Sequence, residues 1–181
     1  MIYNIDPNDN ELVGICNALA GQQSDGQAVW GALLPKNELA SGGVLILVCH
    51  GSAPENGDPV IGNKSGTVKF SAFEFYHKVL NYRIRSEYNG SIYFYGCDTA
   101  TPTPGEGRTF VSDMKTVLED QRGSGSDYGA IALYGVKGTA ADPVKIANKP
   151  PLPATDPQYF RDTYGGDHWE DPPEMFAGEE G

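Results

Sequence analysis

Two short apolar segments set the pattern of hydrophobic and polar positions along the chain. Residues 44–48 read VLILV and residues 91–95 read SIYFY, and each segment is followed by small or polar residues. Short runs rich in β-branched and aromatic side chains are typical of strands that are buried on both faces. A similar run at residues 130–136 predicts a third strand of the same sheet.

A helix is predicted between the first two strands. Ser71 and Glu74 have the spacing of a capping box, in which a serine at the N-cap is followed three residues later by a glutamate. The apolar stripe that follows at helical spacing consists of Phe73, Tyr76, His77, Leu80 and Ile84. Strand, helix and strand in this order predict a βαβ unit.

The segment after the second strand repeats this pattern. Thr103, Pro104 and Glu106 offer an N-cap hydroxyl, a proline at the first helical position and a glutamate at the third. The apolar stripe here consists of Phe110, Val111, Met114, Val117 and Leu118. We therefore predict a second helix that begins at Thr103 and ends near Asp120.

This alternation predicts an α/β fold, with a mostly parallel sheet and helices on both faces. Upstream, residues 11–20 are expected to form a short helix and residues 28–34 an additional strand. The apolar face of that helix consists of Leu12, Ile15, Cys16 and Leu19. A chain of 181 residues with 39% hydrophobic side chains can bury one good core, so we expect one domain over residues 1–149.

Charge divides the chain into a nearly balanced body and an acidic tail. Residues 1–149 hold 16 acidic and 12 basic side chains, whereas residues 150–181 hold eight acidic side chains and one basic. Neither part offers the basic stripe that phosphate backbones require, so nucleic acid and anionic membranes are disfavoured as partners.

The tail, residues 150–181, also contains six of the thirteen prolines. Its aromatic residues are too numerous for a fully solvated segment, and they are Tyr159, Phe160, Tyr164 and Trp169. We expect an arm that packs on the domain, covers or borders a cleft near Cys97, and then frays towards its end.

The cysteines and the first residues bear on location. Three cysteines without CxxC spacing, in a chain that shows no basic and apolar signal region, favour free thiols in a reducing compartment. No apolar run approaches the ~18 residues of a membrane span. The expectation is a cytoplasmic protein, or one secreted by a route without a cleaved signal peptide.

Each of the first two strands leads into a residue with catalytic chemistry. His50 comes just after the first strand and Cys97 just after the second. Residues past the carboxyl ends of parallel strands line the crevice in which open α/β sheets bind ligands, so the two side chains are expected to converge. A thiol attacks a carbonyl group as the thiolate, and an adjacent imidazole can take its proton. The backbone N–H groups of Gly51 and Cys97 are then candidate donors to the developing oxyanion.

The form of these motifs resembles the caspase-like cysteine peptidases. The motifs are HGS at residues 50–52, YGCDTA at residues 95–100 and GVKG at residues 135–138. That group includes gingipains, metacaspases, CHAT-domain proteases and the self-processing protease domains of bacterial toxins. The chain looks most like the toxin- and CHAT-associated branch, over roughly residues 44–139, and has the histidine before the cysteine as that group does.

The resemblance implies a three-layer α/β/α fold and a cysteine endopeptidase that hydrolyses peptide bonds through an acyl-enzyme. It assigns His50 as the general base and acid, Cys97 as the nucleophile, and the Gly51 and Cys97 amides as the oxyanion hole. It also implies a protein or peptide substrate, self-processing or a bacterial effector or defence role, a regulatory partner protein, and no cofactor.

Three residues beside this dyad, Ser52, Asp98 and Thr99, are candidate substrate contacts. Metacaspase-type members usually carry an acidic residue just before the cysteine, where this chain has Gly96, so their substrate preference is not transferred. Toxin domains that are activated by inositol hexakisphosphate need a basic pocket, which this composition does not offer. We do not predict that activator.

Two other classes of function remain open. A catalytically inactive caspase-like module could bind a partner protein, because a fold does not by itself confer activity. A Cys-dependent amidase or transferase acting on proteins would use the same thiolate and the same oxyanion hole.

The remaining cysteines and histidines have structural interpretations. Cys49 alternates with His50 along the strand and is expected to pack on the opposite side, and Cys16 belongs to the core. His77 lies on the apolar stripe of its helix, as a partly buried side chain. His168 has no HxH or HExxH spacing around it, so no metal site is predicted.

Overall fold

The structure of the chain is a computed structural model that describes residues 1–21, 28–30, 43–84, 88–123, 131–136 and 138. The acidic tail at residues 150–181, with its predicted packing, and His168 lie outside the described residues. None of the helices in the described part is long and apolar enough to cross a lipid bilayer.

The described residues have mixed α/β character and contain a five-stranded parallel sheet. Its strands are β1 (Ile2–Asn4), β2 (Ala28–Trp30), β3 (Val44–Val48), β7 (Ser91–Tyr95) and β8 (Ala132–Gly135). Their order across the sheet is β2-β1-β3-β7-β8, and every neighbouring pair is parallel. The direction of the strand order therefore reverses between β1 and β3, which is where doubly wound sheets open a crevice at their carboxyl ends.

The three strands predicted from the apolar runs are confirmed, and they are neighbours in the sheet. Val44 pairs with Ser91 and Val48 with Tyr95, so that β3 and β7 run in register over five residues. On the other side of β7, Ser91 pairs with Ala132. The register aligns the carboxyl ends of β3 and β7.

A second, smaller sheet follows β3 directly. It is antiparallel, in the order β4-β5-β6, and consists of β4 (His50–Ser52), β5 (Val60–Gly62) and β6 (Lys69–Phe70). His50 pairs with Gly62, and Gly62 with Lys69. These strands have only two or three residues each, too few for the sequence pattern to reveal them.

The first two helices lie near their predicted positions. Helix α1 spans Asn10–Gly21 and packs against β1 and β3, with Leu12, Cys16 and Leu19 fully buried. Helix α2 spans Ala72–Lys78 and begins with the predicted capping box, because Ser71 accepts from the Glu74 N–H and Glu74 accepts from the Ser71 N–H.

The predicted stripe of α2 was wrong at one position. Phe73 is 62% exposed, whereas Phe75 is fully buried. The α-helix ends at Lys78, and a separate 3₁₀ turn follows at Leu80–Tyr82. Phe73, Leu80 and Ile84 therefore do not belong to one continuous α-helix, as the predicted stripe required.

Helix α3 spans Phe110–Gly123, so the cap predicted at Thr103 was wrong by six residues. The intervening turn contains Gly105 and Gly107 at φ of 94° and 67°, a backbone conformation that cannot continue a right-handed helix. Thr109 is the actual cap, because its hydroxyl accepts from the Ser112 N–H at 2.9 Å. The predicted apolar stripe of this helix is buried, apart from the half-buried Val117.

Aromatic rings join the second and third helices to the sheet. Phe94 on β7 lies edge-on to Phe75 of α2 and to Phe110 of α3, with ring centroids 6.1 Å and 5.1 Å apart. Tyr93 is next to Phe94 on the strand and therefore points to the other face of the sheet, where it stacks on Tyr134 of β8.

Candidate functional site

His50 and Cys97 leave the sheet from neighbouring strands at the same edge. The parallel pairing of β3 with β7 ends at Val48 and Tyr95, and the Cys49 N–H still donates to the Tyr95 carbonyl oxygen at 3.2 Å. His50 and Cys97 each lie two residues beyond this last pair, His50 as the first residue of β4 and Cys97 in the loop after β7.

The backbones remain in contact beyond the ends of the strands. A Cβ atom on Gly51 would overlap the carbonyl oxygen of Cys97 and would also meet the Thr99 methyl group. Only glycine fits between these groups, so the lack of a side chain at Gly51 brings the His50 and Cys97 segments together.

A second close contact of this kind joins Gly96 and Cys49, just before the first. A Cβ atom on Gly96 would overlap the carbonyl group of Cys49 and lie close to its sulfur. This contact leaves no room for a larger residue directly before Cys97.

The loop that carries Cys97 is held by Thr99. The Thr99 side chain is fully buried, and its hydroxyl lies 3.0 Å from the Phe94 carbonyl oxygen and 3.1 Å from that of Gly96. The same hydroxyl accepts from the Val136 N–H at 2.8 Å, which joins the loop to the end of β8. These hydrogen bonds of Thr99 therefore stabilise the loop.

Asp98 adopts a left-handed backbone conformation with φ of 58°, which is uncommon for a residue with a side chain. Its N–H donates to the Gly138 carbonyl oxygen at 2.7 Å, and its carboxylate accepts from the Thr101 hydroxyl at 2.8 Å. Asp98 is half-buried, whereas Ser52 at the end of β4 is exposed.

The three thiols differ in their access to solvent. Cys97 is partly exposed, while Cys16 and Cys49 are buried. Burial raises the pKa of the Cys16 thiol to about 12, and burial also raises the pKa of the Cys49 thiol. Because the thiolate is the nucleophile, we expect the two buried thiols to react slowly at neutral pH.

The imidazole of His50 lies against the carboxylate of Asp9. The distance from His50 Nε2 to Asp9 Oδ2 is 3.4 Å, and Nε2 is buried with no hydrogen-bond partner among the described residues. Burial acts to raise the pKa of Asp9, but backbone N–H groups of Lys64, Leu12 and Glu11 and the nearby imidazole outweigh it, so that the pKa is lowered.

Sequence reasoning missed Asp9. Asp9 caps α1, since its Oδ1 accepts from the N–H groups of Glu11 at 3.0 Å and Leu12 at 3.3 Å. An aspartate just before a helix was a visible signal for the cap. No local sequence pattern indicated that Asp9 contacts His50, 41 positions later in the chain.

A groove of about 370 Å³ opens beside His50. It is lined by residues of β4 and β5 and by the turn that leads into β6, with Lys64 and Lys69 as its charged residues. His50 is part of this lining and Cys97 is not. A neighbouring cavity of about 670 Å³ is lined by Asp6, Asp9 and Glu11 and shares Lys64 with the groove.

In the part of the chain that the structure describes, no three His, Cys, Asp or Glu side chains come together as a metal-binding group. His77 stays on α2 as a half-buried residue, with its ring 4.3 Å from that of Phe73 and 4.9 Å from that of Tyr76, measured between centroids.

The chain was compared with protein-family models, with curated proteins and with solved structures. None of them matches it. The interpretation of the site therefore rests on the residues and on their geometry.

Proposed function

We propose that the chain is a cysteine endopeptidase of caspase-like type, in which Cys97 is the nucleophile and His50 the general base and acid. The observation that carries the proposal is the backbone contact of Gly51 with Cys97, in the register of β3 and β7. It supports a site in which a partly exposed thiol and an imidazole come together at the carboxyl edge of a parallel sheet.

The reaction would follow the acyl-enzyme route. His50 removes the proton of the Cys97 thiol, and the thiolate attacks the carbonyl carbon of the scissile peptide bond. The backbone N–H groups of Gly51 and Cys97 donate to the oxyanion. His50 then returns the proton to the leaving amine, and a water molecule, activated by the same imidazole, hydrolyses the thioester.

A three-layer arrangement fits this proposal. Crossovers between parallel strands are right-handed in nearly all proteins. From β1 to β2 the chain moves towards one edge of the sheet, and from β3 to β7 and β8 it moves towards the other edge. The rule then assigns α1 to one face and both α2 and α3 to the opposite face, as in a caspase-like α/β/α sandwich.

The proposal is tested by mapping cleavage in a mixed peptide library. We expect the wild-type protein to create new peptide termini, read by mass spectrometry, and we expect Cys97→Ala and His50→Ala to lose them by at least about a hundredfold. Cys49→Ala is the matched control, because it removes an adjacent buried thiol from the same pair of strands.

Three outcomes decide the matter. Cleavage that survives Cys97→Ala, or equal losses for Cys49→Ala and Cys97→Ala in folded proteins, would show that the nucleophile is wrongly assigned. An acyl-enzyme on Cys97 that passes its acyl group to an amine, without new termini, would replace the peptidase by a transferase.

A further inference from the structure

We infer that Asp9 is a positioning residue that holds His50 with its proton on Nε2, so that Nδ1 is the nitrogen that exchanges a proton with Cys97. The inference rests on the proposed function and adds a third side chain to it. It comes from the contact between the cap of α1 and the first residue of β4.

The environment of the imidazole limits what each ring nitrogen can do. Nε2 is buried, so it cannot reach a substrate, and the Asp9 carboxylate oxygen 3.4 Å away is its neighbouring acceptor. A neutral imidazole carries its proton on one nitrogen and accepts on the other. Moving the ring a few tenths of an ångström closer would complete an Nε2–H···Oδ2 hydrogen bond and fix this tautomer.

Asp9 is itself held firmly in place. Its side chain is only 8% exposed, and Oδ1 is engaged by the first turn of α1. Oδ2, the oxygen that faces His50, accepts from the Lys64 N–H at 2.9 Å. Hydrogen bonds from the first turn of α1 and from Lys64 therefore hold the carboxylate in place beside the imidazole.

Helix capping alone does not account for this arrangement. A cap needs one acceptor oxygen, which Oδ1 supplies, and serine would serve equally well. The cap does not need Oδ2 or the negative charge, and both face His50 and the Lys64 turn. An anion beside the imidazole also stabilises the imidazolium that forms when His50 takes the thiol proton.

The test separates positioning from capping with Asp9→Ser, which keeps an N-cap hydroxyl but removes the oxygen and the charge at His50. Asp6→Asn is the matched control, because Asp6 is a neighbouring buried carboxylate bonded to Asn8 and Asn63. Nitrogen-15 NMR of the His50 ring reports which nitrogen carries the proton. Iodoacetamide labelling across pH 5–10 reports the reactivity of Cys97.

We expect the wild-type protein and Asp6→Asn to show the Nε2–H form. In Asp9→Ser we expect a mixture of tautomers, and at neutral pH a rate of Cys97 labelling that is lower by about tenfold or more. Asp9→Glu, which restores a carboxylate, should recover part of the rate. Should Asp9→Ser unfold, Asp9→Asn provides the same readouts with an equally good cap.

An unchanged tautomer and an unchanged labelling profile in folded Asp9→Ser would overturn the inference and leave the peptidase proposal standing. A tautomer that depends on Asp9, found in a protein that cleaves no peptide, would support the inference about Asp9 and overturn the peptidase proposal.

Discussion

The Cα atom of Gly51 lies against the carbonyl group of Cys97, with no space for a side chain between them. This contact joins the residue after the candidate base to the candidate nucleophile. Because it is a contact of backbones, it depends on the alignment of β3 and β7 and not on side-chain rotamers.

We expect Gly51→Ala to lower the free energy of unfolding by about 1–3 kcal/mol, because the added methyl group must push the Cys97 loop away. Urea denaturation measures this. Gly14→Ala is the control, since nothing lies within 4 Å of a Cβ atom at that exposed position in α1, and alanine is the better helix former. If Gly51→Ala is as stable as the wild type, the backbones of Gly51 and Cys97 are not in contact.

Thr99→Val should be costly, although it conserves shape. It removes the buried hydroxyl that joins Phe94 and Gly96 to Val136, and an unsatisfied buried polar group costs about 1–3 kcal/mol. Thr116→Val, which removes an exposed hydroxyl on α3, should change the free energy of unfolding by less than about 0.5 kcal/mol. Equal effects would mean that Thr99 does not support the loop.

In the folded protein, Cys97 should react with iodoacetamide well before Cys16 and Cys49. The raised pKa of the two buried thiols leaves almost none of either as thiolate at neutral pH. Peptide mapping by mass spectrometry after short exposures gives the order of labelling. All three should react alike in urea, and earlier labelling of Cys49 than of Cys97 in buffer would contradict the assigned burial.

Acid should destabilise the protein partly through Asp6. Hydrogen bonds from Asn63 and from Asn8 lower the pKa of Asp6, so its contribution to stability is present above the unfolded value of about 3.9 and is lost as pH falls through the folded value. Asn63→Ala removes the largest cause of this shift.

The difference in free energy of unfolding between about pH 6 and pH 3 should therefore be smaller in Asn63→Ala than in the wild type. Asn81→Ala, in the 3₁₀ turn away from Asp6, is the control. An unchanged difference in Asn63→Ala would assign the acid sensitivity to other groups.

Much of the sheet could be predicted from the sequence, because β3, β7 and β8 are apolar runs long enough to show their composition. The capping box at Ser71 was equally visible, since it is a local interaction. The helix start at Thr103 was predicted wrongly because the residues that cap a helix also favour a turn. The positive φ of Gly105 and Gly107 makes this segment a turn.

The rest of the site depends on contacts that no local pattern records. Strands β1 and β4–β6 are too short for a periodicity, and their pairing is set by tertiary contacts. Asp9 could be recognised as a helix cap, but its contact with His50 exists only after β1 has paired with β3. The approach of the His50 and Cys97 segments at one edge of the sheet was predictable, because both segments follow parallel strands.

The bonds from Asn63 to Asp6 and from Lys64 to Asp9 join positions 57 and 55 residues apart, and β1 pairs with a strand more than 40 residues later. Such non-local pairing slows folding, because the chain entropy of closing long loops is lost before the contacts are gained. During synthesis, the segment with Asp9 and His50 leaves the ribosome well before Cys97 and the strand that anchors its loop. The histidine and its carboxylate are therefore synthesised before the thiol, and the candidate site is completed only once β7 and β8 have added to the sheet.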